Sequence, residues 1–182
     1  MGLARASYSR GKVVVGRKGD IGDLARRGFG RREDGEFVLE PWEALYLLEK
    51  GRIEVLDGET GRELGFQELL NRLSALDEQL WVKYLIYRDL RERGYVVKRG
   101  FGPGIFFRLY ERGTYGKKAA RFLVYCVLEG SPVSFESLEE ALRAAQGSGK
   151  ELILAVVDRR GEVVYYSLAE WSTAKLGGGL ER

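Results

Sequence analysis

Histidine is absent from all 182 residues, and cysteine occurs once. Ser–His and Cys–His nucleophilic catalysis both need an imidazole base, so both are excluded. Zinc is held mainly by His and Cys, which leaves a zinc centre short of ligands. The single Cys126 cannot form an internal disulfide; inside the apolar run Phe122–Leu128 it reads as a small buried hydrophobe. No apolar run approaches the roughly 20 residues that span a bilayer. The N-terminus carries charge but no apolar stretch, so no secretory signal is expected. The chain is therefore expected in the cytoplasm. It has no Walker A loop, no G-x-G-x-x-G at a strand-to-helix turn and no tight D-x-D cluster, so neither a cofactor nor a metal is expected.

What is present is the composition of a globular protein, with 45% apolar and 31% charged residues. The net charge is only +3, but residues 1–32 hold nine Lys/Arg against Asp20 and Asp23. Such a segment suits a polyanion, or equally a solvated, arginine-rich surface of a thermophilic protein.

Along the chain, Lys12–Val15, Phe37–Leu39 and Ile53–Leu56 are short strand candidates, and Asp20–Arg27 makes one or two helical turns. Pro41 opens a helix: Pro in the first turn, Glu43 beside it and Gly51 past the end are start and stop signals. Its expected apolar face is Trp42, Leu45, Tyr46, Leu48 and Glu49. Phe66–Leu73 is a second helix. These elements make an α/β unit over residues 1–75. The clearest helix is 77–93, where Leu80, Trp81, Tyr84, Leu85, Tyr87 and Leu90 recur at helical spacing and Gly94 supplies a left-handed cap. Tyr95–Lys98, Ile105–Tyr110 and Phe122–Leu128 read as strands. Ser134 or Ser137 caps a helix running to Gln146, with Phe135, Leu138, Leu142 and Ala145 on its face. Leu152–Val157 and Glu162–Tyr166 form a hairpin. Trp171 reads as a buried anchor, and residues 177–182 as a loose tail. The second unit, residues 76–176, runs α-β-β-β-α-β-β and predicts a mixed sheet cradled by two helices. The fold class is thus α/β (α+β), in two units.

Between the strands that end at Tyr110 and start at Phe122 lies a glycine-marked basic loop with Arg112, Lys117, Lys118 and Arg121. Loops held by buried strands are favoured places for chemistry. Taken alone, a tyrosine at a strand end more often packs than reacts, and Lys150 after a Gly-Ser-Gly turn is more often solvated.

Several segments in order resemble the archaeal tRNA-splicing endonuclease family: LEPWEALYLLEKGRIEV from Leu39, KYLIYRDLRERGYVVK from Lys83, FFRLYERG from Phe106, FLV from Phe122, LRAAQGSGKELILAVVD from Leu142 and GEVVYYSLAEW from Gly161. The resemblance implies metal-independent intron excision. A tyrosine takes the 2′-hydroxyl proton, a histidine protonates the leaving 5′-oxygen and a lysine stabilises the phosphate charge, leaving 2′,3′-cyclic phosphate and 5′-hydroxyl ends. The tyrosine position falls on Tyr110 and the lysine on Lys150. The histidine position falls on Ala119, or on Ala120 if the gap moves by one. Neither transfers a proton. Lys117 or Lys118 starts near a pKa of about 10.4, against about 6.5 for imidazole, and makes a poor acid at neutral pH.

The chain therefore resembles the non-catalytic, structural subunit of the heterotetrameric type. Its implied partners are a His-containing catalytic paralogue, in an α2β2 complex, and precursor tRNA. Arg112, Lys117, Lys118, Arg143 and Lys150 are the candidate RNA contacts, Arg143 standing near where the family sets an arginine against a bulged base. The family's assembly loop, acidic and inserted into a partner subunit, corresponds to Asp158, Arg159, Arg160 and Glu162, here with no net charge. Two other readings stay open. One is a stand-alone RNA-binding module using the basic N-terminus, with Tyr8 and Phe29 stacking on bases. The other is a weak endonuclease using Tyr110, Lys150 and a substitute acid such as Lys118.

Overall fold

A computed structural model describes residues 3–168, so the readings of Trp171 and of the 177–182 tail lie outside the described residues. In the first half the elements are β1 (Ala4–Ser9), β2 (Lys12–Val15), α1 (Lys18–Arg26), β3 (Arg31–Glu33), β4 (Glu36–Leu39), α2 (Pro41–Glu49), β5 (Ile53–Asp57) and α3 (Phe66–Ser74). In the second they are α4 (Leu80–Glu92), β6 (Val96–Arg99), β7 (Ile105–Tyr110), β8 (Phe122–Leu128), α5 (Phe135–Gly147), β9 (Glu151–Val157) and β10 (Val163–Leu168). Each half builds one mixed sheet, in the orders β3-β4-β2-β1-β5 and β10-β9-β8-β7-β6. Parallel pairs β1–β5 and β8–β9 sit among antiparallel ones. Among the described residues no helix is long and apolar enough to cross a membrane.

The second sheet is sandwiched as the sequence predicts. Phe107, Leu109, Val124 and Ala155 belong to the core that includes α4, while Leu123, Tyr125 and Leu152 face Ala141 and Ala145 of α5. The helix α5 makes the crossover that parallel β8 and β9 require. Ser134 is the cap; its hydroxyl accepts the amide of Ser137 at 3.2 Å.

Several expectations need correction. Strand β1 has no clear sequence signal, because its inward residues, Ala4 and Ala6, are small and weak strand formers, although it occupies the sheet interior. Strand β3 is Arg-Arg-Glu, an edge held by backbone pairing with its charges in solvent. Helix α4 starts at Leu80 rather than Asp77, because Asp77 forms a turn ahead of it: its carboxylate accepts Gln79 N at 3.1 Å and its carbonyl accepts Leu80 N at 3.0 Å. Strand β6 starts at Val96 because the amide of Tyr95 still closes the helix on Leu90 O, at 3.2 Å. Phe135 is 77% exposed, since as the first residue of α5 it stands before the turns that lie on the sheet. In α2 burial extends beyond one face, covering Trp42, Glu43, Ala44, Leu45 and Leu47, because α2 contacts β2 and β5 as well as α3 and α4.

A single apolar core runs through both sheets. The Trp42 ring stands edge-on to Phe107, centroids 5.3 Å apart, and Tyr46 stands edge-on to Tyr87 at 5.7 Å. At the junction lies an ion pair with little access to water. Lys98 Nζ donates to the carbonyls of Gly28 (3.0 Å) and Gly30 (2.7 Å) and stands 3.5 Å from Glu43 Oε1. Glu43 Oε2 accepts the amides of Gly30 (2.8 Å) and Glu40 (3.0 Å). Burial pushes the Glu43 carboxyl up, and Lys98 pulls the other way.

Asp57, at the end of β5, holds the following turn. Its carboxylate accepts the amides of Glu59 (2.9 Å) and Thr60 (3.2 Å) and pairs with Arg72 at 2.7 Å. The Glu59 amide and the Arg72 guanidinium hold its pKa down at about 2. A carboxyl with a depressed folded pKa adds stability that is fully present above its unfolded value of about 3.9. That stability is lost as pH falls through about 2. Asp57→Asn should lower the melting temperature at pH 7 and flatten its decline between about pH 4 and pH 2. Thermal melts across that range check this; an unchanged acid limb would contradict it.

Candidate functional site

The register of the second sheet gathers three of the sequence candidates. Leu109, Phe122 and Glu151 pair across β7, β8 and β9. One step outward, Arg121 N donates to Leu109 O at 2.9 Å and Glu151 N donates to Arg121 O at 3.1 Å. Tyr110, Arg121 and Lys150 therefore share one end of three neighbouring strands. With strands about 4.8 Å apart, the backbones of Tyr110 and Lys150 stand about 10 Å apart, and the chain leading into β8 lies between them.

That chain is a tight basic turn. Lys117 N and Lys118 N both donate to Thr114 O, at 2.9 Å each, and the Thr114 hydroxyl donates to Glu111 O at 2.8 Å. Ala119 is exposed, whereas Ala120 is 6% exposed and part of the packing. Of the two positions considered for a proton donor, Ala119 is the one open to a substrate. The half-buried Tyr110 ring meets Tyr115 edge-on at 5.1 Å. Lys150 Nζ donates to Ser148 O at 3.0 Å. Arg121 is neutralised by Glu111 (2.7 Å) and Glu151 (3.1 Å), and Arg143 on α5 pairs with Glu139 at 2.5 Å. Lys117 and Lys118 are exposed and have no ion pair among the described residues.

The N-terminal basic stretch is only partly neutralised: Arg10, Arg17, Lys18 and Arg32 are exposed with no ion pair among the described residues, while the others are held. Arg5 pairs with Glu54, Lys12 with Glu33, and Arg31 with Glu33 and Glu40. Tyr8 lies beneath the Arg72 guanidinium (5.5 Å to the ring centroid), and Phe29 is 4% exposed, covered by Arg91 at 4.1 Å. Neither ring is open for stacking on bases.

A basic cleft was not legible in the sequence. A cleft of about 780 Å³ opens between the two sheets, lined by Arg27, Lys50, Arg52, Arg91 and Arg112, with no acidic residue in its wall among the described residues. Arg91 is fixed by the carbonyls of Arg27 (3.1 Å) and Tyr95 (3.4 Å). Lys50 is tied to Glu92 at 2.6 Å, which raises its pKa. Arg52 and Arg112 make no ion pair among the described residues. Arg112 lies two residues beyond Tyr110, and the wall residue Val96 pairs with Tyr110, so the cleft adjoins the strand ends.

Residues 80–165 match the family model for the tRNA intron endonuclease catalytic C-terminal domain, and residues 4–70 match that for the tRNA intron endonuclease N-terminal domain. The chain belongs to the tRNA intron endonuclease family. It is 42% identical over 146 residues to the tRNA-splicing endonuclease of Thermococcus onnurineus, covering 80% of this chain and 82% of that protein. The tRNA-splicing endonuclease of Methanococcus vannielii is 34% identical over 163 residues, 90% of this chain and 92% of that protein. That of Methanosarcina mazei is 33% identical over 171 residues, 92% of this chain but 46% of that protein. For a tRNA intron endonuclease chain, the missing imidazole matters chemically, because histidine is the side chain that exchanges protons near neutral pH. Cys126 offers no replacement, since burial pushes its thiol well up.

Proposed function

We propose that this chain is the structural, non-catalytic subunit of a heterotetrameric tRNA-splicing endonuclease. It would assemble with a His-containing paralogue as α2β2 and help hold precursor tRNA while the paralogue cuts it to 2′,3′-cyclic phosphate and 5′-hydroxyl ends. The observation that carries this reading is Ala119, an open position between the strands of Tyr110 and Lys150 that holds no proton donor.

Leaving-group protonation by a placed acid is worth about 100- to 10,000-fold. A chain without it cuts at trace rates. Its contribution is instead geometric: two cuts in one RNA need two active sites at a fixed separation, which a closed, symmetric assembly supplies. The five-cation cleft fits an acidic segment of the partner. Arg112, Lys117 and Lys118 stand where RNA at the strand ends would meet positive charge.

In the mixed complex, Tyr110→Phe and Lys150→Ala in this chain should leave the cleavage rate within about twofold. A loss of about 100-fold or more would assign catalysis to this chain.

A further inference from the structure

The basic turn at the strand ends is seated on the first half of the chain by an aromatic ring. Within the turn the hydrogen bonds are local. The Thr114 amide and hydroxyl both donate to Glu111 O, at 3.0 and 2.8 Å, and Thr114 O accepts the amides of Lys117 and Lys118. None of these bonds reaches beyond residues 111–118. Tyr115, half-buried, lies edge-on to Tyr110 and also against Gly28 of the first half. A Cβ on Gly28 would overlap Val96 Cγ1 and stand 3.5 Å from Tyr115 Cε1, and φ there is +80°. Only glycine lets the turn at residues 27–30 lie this close to β6 and to the ring.

The seat is itself held from the second half. Gly28 O accepts Lys98 Nζ at 3.0 Å and Arg27 O accepts Arg91 Nη2 at 3.1 Å. Val96, against the same glycine, pairs with Tyr110 in the sheet. The first-half turn, the strand end and the basic turn therefore meet at Gly28, Val96, Tyr110 and Tyr115. The Tyr115 hydroxyl makes no hydrogen bond among the described residues, so the ring makes the seat. We propose that Tyr115 is a positioning residue for RNA: by seating the 111–118 turn on Gly28, it fixes where Lys117 and Lys118 meet the phosphates of precursor tRNA. The proposal rests on the reading of these lysines as RNA contacts. It adds that the first half of the chain, which carries neither lysine, sets their place. A loop ordered before binding loses less freedom on binding than one held only by its own bonds. Without the ring, RNA has to order the turn, and affinity falls although both charges remain.

Precursor-tRNA binding by the mixed complex at about 100 mM salt, with amide hydrogen exchange of the free full chain, tests this. Tyr115→Ala should weaken binding about tenfold, and Tyr115→Phe should bind like the wild type. Lys117→Ala/Lys118→Ala should weaken binding at least as much. Adding Tyr115→Ala to that pair should weaken it less than about twofold further, because no charge is left to place. In the free chain, Tyr115→Ala should speed exchange at Lys117 and Lys118 at least about tenfold and leave β6 to β9 unchanged. Wild-type binding by Tyr115→Ala, with the lysine pair still weakened, would keep the RNA reading and end the positioning role. Equal losses from Tyr115→Ala with and without the lysines, or the same loss from Tyr115→Phe, would make Tyr115 a direct RNA contact instead. Undiminished binding by the lysine pair would sink the RNA reading and the proposal with it. Faster exchange throughout β6 to β9 would make Tyr115 a core residue whose loss unsettles the sheet, and would also overturn the proposal.

Discussion

Arg52→Glu together with Arg112→Glu should weaken binding to the His-containing partner by about 100-fold or more. Both side chains line the cleft and are free of ion pairs among the described residues, so their reversal breaks no internal bond. It puts two carboxylates where two unpaired cations stood, beside Arg91, Lys50, which is paired with Glu92, and Arg27, which lies 3.7 Å from Asp23. Close charge pairs across an interface couple by roughly 1.5 kcal/mol or more, and two at that floor give about 3 kcal/mol, or about 100-fold. Titration calorimetry of the two purified chains measures this. The wild-type affinity should also fall with added salt, and the variant's less steeply. An unchanged affinity would remove the cleft from the interface.

The second large effect falls on the fold that forms the cleft. Lys98→Met should cost about 3–5 kcal/mol, the usual loss when one partner of a buried ion pair is removed. In a chain of this size that lowers the melting temperature by roughly 6–20 °C. The cost arises because Glu43 is left at 0% exposure with only the Gly30 and Glu40 amides facing its carboxylate, while Gly28 O and Gly30 O lose their donor. The sign of the pH dependence follows. A carboxyl whose folded pKa is raised binds more protons folded than unfolded, so its burial destabilises increasingly as pH rises from its unfolded value through its folded one. Removing Lys98 widens that window, so the variant should recover stability as pH falls from 8 toward about 5. Adding Glu43→Gln should recover part of the loss at neutral pH, because the buried charge goes with it. Melts of both variants across that range decide the matter. A drop of less than about 2 °C for Lys98→Met would mean that the pair is not a strut. Since the cleft draws Arg27, Lys50 and Arg52 from one half and Arg91 and Arg112 from the other, this junction also sets the distance between its walls.

The sequence and the structure agree where a local signal decided the matter. Strands β2, β7 and β8 have the bounds their apolar runs predict, because each run is closed by glycine or charge. Capping by Ser134 and the positive φ of Gly94 follow from residue chemistry alone. Agreement fails where the decision is tertiary. Glu43 reads as a first-turn acid complementing the helix dipole, yet packing by α4 and the reach of Lys98 from β6 make it the centre of the junction. Of the cleft cations at positions 27, 50, 52, 91 and 112, Arg112 stands in the loop that the resemblance singles out and Arg27 in the basic first segment, whereas Lys50, Arg52 and Arg91 are indistinguishable in sequence from solvated surface charges. Of the basic segment 1–32, only Arg27 and Phe29 reach the cleft wall. Tyr110 and Lys150 could be singled out because order along the chain resembles a family; that they share a sheet end required the β7–β8–β9 register. The inward turn of Asp158, whose Oδ1 accepts the amides of Arg160 and Glu162, depends on hydrogen bonds that composition does not reveal.

Cleavage of precursor tRNA in EDTA by this chain alone, by the His-containing paralogue alone and by their mixture bears most directly on the claim that Ala119 marks a structural subunit. The mixture should release the intron with 2′,3′-cyclic phosphate and 5′-hydroxyl ends while this chain alone releases it at no more than a trace rate. Intron release by this chain alone, at a rate comparable to the mixture, would contradict the account.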